Sequence, residues 1–298
     1  MSRPLILLAG STGKLGTRIA GALVRRGARV RALVRPTSDP EAIAAVRDLG
    51  VEVVTGDYRS ATSLSKACSN VSCVISALSG LREVIVEAQS TLLDAAVAAG
   101  VPRFIPSDYA IDFVKQPEGW NRNLDLRREF HERLDRAPIA ATSILNGMFT
   151  DMLTGQAPIV LFKLKRVMYW ENADQPMDFT TIDDTAEYAA AAALDASTPR
   201  YLRIAGDTVT ARELVEIASD VTGQRFRLFR GGGLRRLERL IKIMRTIVPG
   251  RTTLYPPWQG MQYLHNMFSG RAQLVPLDND RYAGIRWTTV REVLATRE

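Results

Sequence analysis

The stretch "GSTGKLGTR", Gly10 to Arg18, follows the apolar run "PLILLA" and sets three glycines at intervals of three residues. Glycine lets a chain turn sharply, lets another backbone or a ligand come close, and lets a helix seat tightly on its neighbour. Placed directly after a short apolar run, this spacing predicts a strand ending at Gly10, a helix opening at Gly13, and Gly16 one turn inside that helix. Such a helix start presents unpaired amides and the positive end of the helix dipole, which together cradle phosphate oxygens. Three spaced glycines also fit a plain strand-to-helix turn, so the surrounding chain decides between the two.

Downstream, short apolar runs alternate with helical periodicity. "RVRALVR" reads as a second strand and "VEVVTGD" as a third, with "DPEAIAAVRDLG" as the helix between them and Gly50 as its stop. "CVISAL" is a fourth strand, "VEAQSTLLDAAVAAG" a helix ending at Gly100, "RFIPSDY" a fifth strand and "IAATSILN" a sixth. This rhythm predicts an α/β protein with a doubly wound (Rossmann) parallel sheet over residues 1–150, and it makes the opening glycines a dinucleotide-binding turn. Beyond residue 150 the alternation loosens. "VMYWENADQPMDFTTIDDTAEYAAAAALDA" reads as strand, turn, strand and an alanine-rich helix capped by Asp183 and Asp184, and "YLRIAG" as a possible return to the sheet. Thr210 and Glu213 form a capping box before another helix. Residues 151–298 are expected to form a smaller α+β substrate-binding domain, with 176–205 partly returning to the main sheet.

Composition narrows the function. The chain has 298 residues, 46% hydrophobic and 24% charged, as soluble globular proteins do. No apolar run approaches the roughly 18 residues of a membrane span, and the apolar block at the N-terminus is short for a signal peptide, so a cytoplasmic location without membrane insertion is expected. Cys68 and Cys73 read as buried, reduced thiols, and His131 and His265 are the only histidines, so no metal site is expected. The net charge of +7 attracts anions in general, yet the arginines lack aromatic interleaving, and no nucleic-acid partner is expected. "GLRRLERLIKIMRTIV" reads as a lid helix rather than a membrane-surface one, and "YPPWQGMQYLHNMF" as either a pocket wall or packing. A small-molecule substrate is expected, and a homo-oligomer stays open.

The G-x-x-G-x-x-G spacing is joined by "RALVRPTSDP", "GVEVVTGDYRSATSLSKA", "CVISALSG", "AGVPRFIPSDYAIDF" and "NDRYAGIRWTTVREVL". Over nearly the whole chain, in this order, the sequence resembles the NmrA-like, isoflavone-reductase-like family of atypical short-chain dehydrogenases/reductases. The resemblance implies an NADPH-dependent reductase of aromatic substrates, a quinone reductase, or a catalytically silent regulator that senses nicotinamide cofactors.

For the cofactor, Arg35 stands at the end of the second strand with no carboxylate before Asp39, which selects NADP(H) by offering a cation to the 2′-phosphate. Gly10, Ser11, Thr12, Gly13, Lys14, Leu15 and Gly16 form the expected phosphate cradle, with Arg18 also in reach. Ser76, Ala77 and Leu78 end the fourth strand at the carboxyl edge, where such sheets bind ligands. The resemblance puts Asp57 and Tyr58 near the adenine, although Asp57 equally suits the capping of its own turn. It also puts Ser107 in the cofactor site and Asn146, Gly147 and Phe149 beside the nicotinamide.

No tyrosine is followed four residues later by lysine, so the usual Tyr-x-x-x-Lys machinery is missing. The resemblance implies a lysine on the helix after the fifth strand, and aligning "NLDLRREFHERLD" puts Arg127 at that place, beside Arg128. Arginine keeps its charge above pH 12 or so, which suits it to steady an oxyanion and not to act as a base. His131, four residues on and on the same helix face, is a candidate proton donor or a surface histidine. Tyr109, in "PSDYAIDF", can donate a hydrogen bond to a carbonyl, assisted by Ser107. The expected function is hydride transfer from NADPH to a small aromatic, enone or quinone-like substrate, the alternative being the cofactor-sensing regulator.

Overall fold

The computed structural model describes residues 3–297. A parallel sheet is built from β1 (Leu5–Ala9), β2 (Arg29–Val34), β3 (Glu52–Thr55), β4 (Cys73–Ser76), β5 (Arg103–Ile105) and β6 (Ala140–Ala141), in the order β3-β2-β1-β4-β5-β6. Between the strands run α1 (Lys14–Arg25), α2 (Pro40–Asp48), α3 (Ala61–Cys68), α4 (Gln89–Ala98) and α5 (Arg122–Leu134). The strand order reverses between β1 and β4, where Leu8 lies opposite Ala32 on one side and Ile75 on the other. This is the Rossmann order, whose ligand crevice opens at the reversal point.

The central strands β1 and β4 are almost wholly apolar and buried because both faces are covered, whereas the outer strands carry polar residues such as Arg29, Arg31 and Glu52. Ile6, Leu8, Ala32, Ile75 and Ile105 pack on one face with Ile19 and Leu23 of α1. Leu5, Leu7, Leu33, Val74 and Phe104 pack on the other with Leu64, Leu92, Leu93 and Phe130 from α3, α4 and α5. Side-chain alternation along each strand therefore feeds two cores at once. Asp39 caps α2 by accepting from the Glu41 amide, and Asn121 caps α5. A π-helical turn, Glu83–Ala88, leads into α4.

The remaining elements are β7 (Ser143–Leu145), β8 (Met148–Phe149), β9 (Val160–Leu161), β10 (Arg166–Trp170), β11 (Met177–Thr180), α6 (Ile182–Leu194), β12 (Tyr201–Arg203), β13 (Asp207–Val209), α7 (Ala211–Thr222), β14 (Arg227–Gly232), α8 (Leu234–Ile247), α9 (Pro257–Phe268) and α10 (Val290–Ala295). They make three small sheets, β14-β10-β9, β13-β11-β8 and β12-β7. A third core gathers Leu214, Leu237, Ile241, Trp258, Leu264 and Phe268.

Several local expectations change. The sixth strand splits, because the Thr142 amide still donates to Phe104 of β5 while the next amide, Ser143, turns to Arg200. "YLR" therefore pairs with β7 and not with the main sheet. β10 and β11 are both strands, yet each pairs elsewhere and they form no hairpin. Thr181, not Asp183 or Asp184, caps α6. Asp183 instead pairs with Arg18, and Asp184 accepts from the Thr288 amide. The buried Arg103 donates to the Ala192 and Ala193 carbonyls, supplying the cation that the last turn of α6 lacks. The capping box of Thr210 and Glu213 is present at α7. Among the described residues, no helix is long and apolar enough to cross a membrane.

Candidate active site

The three glycines do three different things. Gly10 adopts φ +78°, and a Cβ there would stand 2.4 Å from the Ala77 carbonyl oxygen, so this turn passes directly over the end of β4. A Cβ on Gly16 would stand 2.0 Å from the Gly10 carbonyl oxygen, so the absence of a side chain seats α1 on its own turn. Gly13 needs neither concession, since φ is −84° and a Cβ would meet only the Gly10 oxygen at 3.4 Å. Its bareness faces open space. No side chain caps α1 and no acid stands in its first turn, which leaves the helix start to an outside anion.

Around this cradle, Ser11 and Ser76 are fully buried with unpartnered hydroxyls, at the carboxyl ends of β1 and β4. Thr12 and Leu15 are half-buried and Lys14 is exposed without an ion pair among the described residues, whereas Arg18 is engaged with Asp183. Arg35 is exposed just past β2 and, among the described residues, forms no ion pair. Burial pushes the buried Tyr58 phenol upward, opposed by the charge of Arg35, which places that guanidinium beside the ring. Asp57 accepts from the Arg59 amide at 2.9 Å, so it caps its turn. Ala77 and Leu78 are half-buried, and the Leu78 carbonyl accepts from Ser107 Oγ at 2.6 Å. Asn146 is fully buried with both side-chain polar atoms unpartnered. Gly147 has φ +68° against the Asp178 carbonyl, and Phe149 packs partly buried on the sheet's core. An open helix start, unengaged cations and orphaned buried hydroxyls on one edge fit a phosphorylated dinucleotide.

The candidate proton donors are placed differently. His131 is buried, with Nε2 2.6 Å from Asp108 Oδ2 and Nδ1 3.1 Å from Arg200. Ser143 Oγ donates to the same Asp108 oxygen at 2.6 Å and takes a bond from Arg200 at 2.6 Å. The set resembles a hydrolytic triad in composition only. A triad needs acid and hydroxyl on opposite ring nitrogens, and here both face Nε2. Burial opposes ionisation of Asp108, but the charge and hydrogen bond of His131, the Ser143 bond and the Arg127 charge hold its carboxyl below the ordinary range. Tyr109 is buried in the sheet's core with an unpartnered hydroxyl, and burial pushes its phenol upward.

Arg127 is half-buried and forms no ion pair among the described residues; one guanidinium nitrogen donates to the Asn123 carbonyl at 2.8 Å, and its buried Nε has no partner. Arg128, by contrast, clamps the carbonyls of Phe113, Gln116 and Pro117. Tyr263 of α9, within reach of the Arg127 charge, was not singled out in the sequence. Burial pushes its phenol up to about 12 against the charges of Arg127 and Arg122 and a bond to Asn123. Asp108 was missed as well, although an acid at the carboxyl end of a parallel strand is a recognisable signal.

A sheet in this order with an open glycine cradle at its reversal point defines a Rossmann dinucleotide-binding protein of the short-chain dehydrogenase/reductase kind. A sequence model of the NmrA-like family matches residues 2–240, and the chain belongs to that family, among its isoflavone-reductase-like atypical members. Pinoresinol reductase 1 of Arabidopsis thaliana is 28% identical over 237 residues, covering 74% of each chain. The solved structure AtPrR2 with NADP+ and (+)pinoresinol superposes with a TM-score of 0.81 at 22% identity, over 99% of both chains. The NADPH-dependent quinone oxidoreductase QOR2 of Escherichia coli, complexed with NADPH, superposes at 0.77 with 19% identity, over 97% of this chain and 98% of that one. At these identities the superpositions establish the fold.

Proposed function

We propose that this protein is an NADP-dependent oxidoreductase that transfers hydride directly from NADPH to a small aromatic, enone or quinone-like substrate. Residues 151–298 supply the substrate side and the reaction runs in the cytoplasm, a placement supported by the two free, buried thiols Cys68 and Cys73. The observation that carries the reading is Arg127, a half-buried cation without an ion pair among the described residues, whose charge reaches the buried Tyr263 phenol. NADPH, when bound, supplies the hydride. Gly10, Gly13 and Gly16 with Lys14 hold the diphosphate, and Arg35 holds the 2′-phosphate. Ser11, Ser76, Ala77, Leu78, Asn146, Gly147 and Phe149 line the strand ends under the cofactor. Arg127 steadies negative charge developing on a substrate oxygen, and Tyr263 donates the hydrogen bond, and then the proton, that neutralises it. The relatives support this reading, being named reductases.

The cofactor-sensing alternative draws on a specific observation: His131 and Tyr109, the other candidate donors, are enclosed in the fold. Single-turnover oxidation of NADPH against a panel of quinones, enones and aryl substrates separates the two readings. The reductase oxidises NADPH with at least one of them, and Tyr263→Phe slows that step about tenfold to a hundredfold. Tight NADPH binding with no oxidation across the panel would establish the sensor instead.

A further inference from the structure

At the N-terminal end of α5 lies a cleft of about 460 Å3 lined by Arg122, Arg245, Thr246, Pro249, Arg251 and Trp258. Its walls hold three guanidinium groups and no carboxylate. Arg122 and Arg245 both approach the Trp258 ring, at 4.7 and 5.1 Å from its centroid. Two like charges sharing one indole repel each other, and burial above all, with the Arg245 charge adding to it, pulls the Arg122 pKa down.

Of the three, only Arg122 is tied into the fold by hydrogen bonds among the described residues. Arg122 donates to the carbonyls of Gly250, Thr253 and Leu254, which fixes the loop forming the cleft floor. Trp258 is fixed in turn, its indole N–H donating to Val248 at 3.0 Å and more loosely to Pro249. Arg245 and Arg251 are exposed, and neither makes an ion pair among the described residues. Other surface arginines, such as Arg25 and Arg26 on Glu187 or Arg212 on Asp174, are neutralised by carboxylates, and this cleft gathers three guanidinium groups with none among its lining residues. A guanidinium stacked on an aromatic face keeps its N–H edge free for a planar or tetrahedral oxyanion.

We propose that this cleft is a binding site for the oxyanion of a small molecule, a carboxylate or a phosphate, with Arg245 and Arg251 as its donors and Arg122 as the fixed charge at its floor. The site adjoins the candidate active site through Tyr263, which feels the charges of both Arg122 and Arg127. The proposal stands on the cleft alone and is tested without NADPH, so it can fail while the reductase reading survives, and the reverse.

The test is calorimetric titration of the full chain, at low salt, with inorganic phosphate and separately with benzoate. The two probes distinguish a tetrahedral from a planar anion. Arg245→Ala and Arg251→Ala serve as variants, because both side chains are exposed and neither donates a hydrogen bond among the described residues, the Arg245 contact with the fold being its stack on Trp258. The expected result is one-site binding of at least one probe, weakened about tenfold or more in each variant, with melting temperatures that shift by no more than about 2 °C. Binding of neither probe by about 10 mM overturns the proposal, since that is weaker than a two-arginine clamp provides. So does binding that both variants retain to within about twofold.

Discussion

Gly13→Ala separates the glycine a ligand needs from those the fold needs. A methyl on Gly16 would stand 2.0 Å from the Gly10 carbonyl oxygen and 2.9 Å from Ser11 Cα, so backbone must move, at a cost of about 1–3 kcal/mol. A methyl on Gly13 reaches only ordinary contact with Gly10, at 3.4 Å, on a backbone with φ −84° and ψ 163° that any residue adopts. Alanine is a poorer helix cap than glycine by up to about 1 kcal/mol. Its smaller unfolded-state entropy returns about 0.4–1 kcal/mol, so the two nearly cancel. The expected melting shift for Gly13→Ala is under about 2 °C, against several degrees for Gly16→Ala. Yet the same methyl occupies the space through which a diphosphate meets bare backbone, and displacing it by the same 1–3 kcal/mol weakens NADPH binding roughly 5- to 150-fold. Thermal unfolding together with NADPH fluorescence titration reads both quantities on the same sample. If Gly13→Ala binds NADPH within about twofold of the parent, the cradle is not where the diphosphate lies. If it melts as early as Gly16→Ala, the division of labour among the glycines is wrong.

Arg35→Ala should weaken NADPH about tenfold or more while leaving NADH nearly unchanged, because only NADPH carries a 2′-phosphate; equal losses in fluorescence titrations would show that Arg35 does not read that group. Asp108→Asn should destabilise the fold by about 2–4 kcal/mol, since it removes the charge that binds His131 and Ser143 in a buried site. The Asp108 pKa is depressed by folding, so its contribution is complete above the ordinary carboxylate range of about 4 and is lost as pH falls through the lower folded value. Denaturant melts should show the difference between parent and variant shrinking in acid, and a constant difference across that range would count against the ionised carboxylate.

Much of the fold was legible because strand and helix periods are local. The apolar runs, the glycine stops and the opening turn each carry their own signal, and together they imply the sheet that forms. The splitting of "IAATSILN" was not legible, since the Ser143 amide leaves the main sheet for Arg200, a partner the local pattern does not name. His131 fits the edge of an apolar stripe on α5, and what buries it is an acid after β5 and an arginine before β12. Asp183 looks like a cap beside Asp184, yet Thr181 precedes both and takes the role, freeing Asp183 to bind α1. The stretch that holds Tyr263 reads as a pocket wall or as packing, and nothing in it singles out this tyrosine. Only the packing of α9 onto α5 brings it to Arg127, and tertiary contacts of that kind leave no period to read.

Arginine at position 127 makes the chemistry testable by pH. A guanidinium does not titrate below about pH 12, and burial pushes the Tyr263 phenol up to about 12, so neither proposed group changes charge in the working range. The hydride-transfer rate should therefore be flat from about pH 6 to 9, where only the protonated phenol is present, and should fall only as pH rises toward the Tyr263 value. Arg127→Lys replaces the fixed charge with one whose ordinary pKa is near 10.4 and which partial burial lowers further. That variant should acquire a titration within the accessible range, losing oxyanion stabilisation as its amine deprotonates, while Arg127→Ala loses rate at every pH. Single-turnover rates against pH for the three proteins decide the matter. A parent profile that already titrates near neutrality would mean that the proton comes from a group other than Tyr263 and that Arg127 does not set the charge at the reacting oxygen.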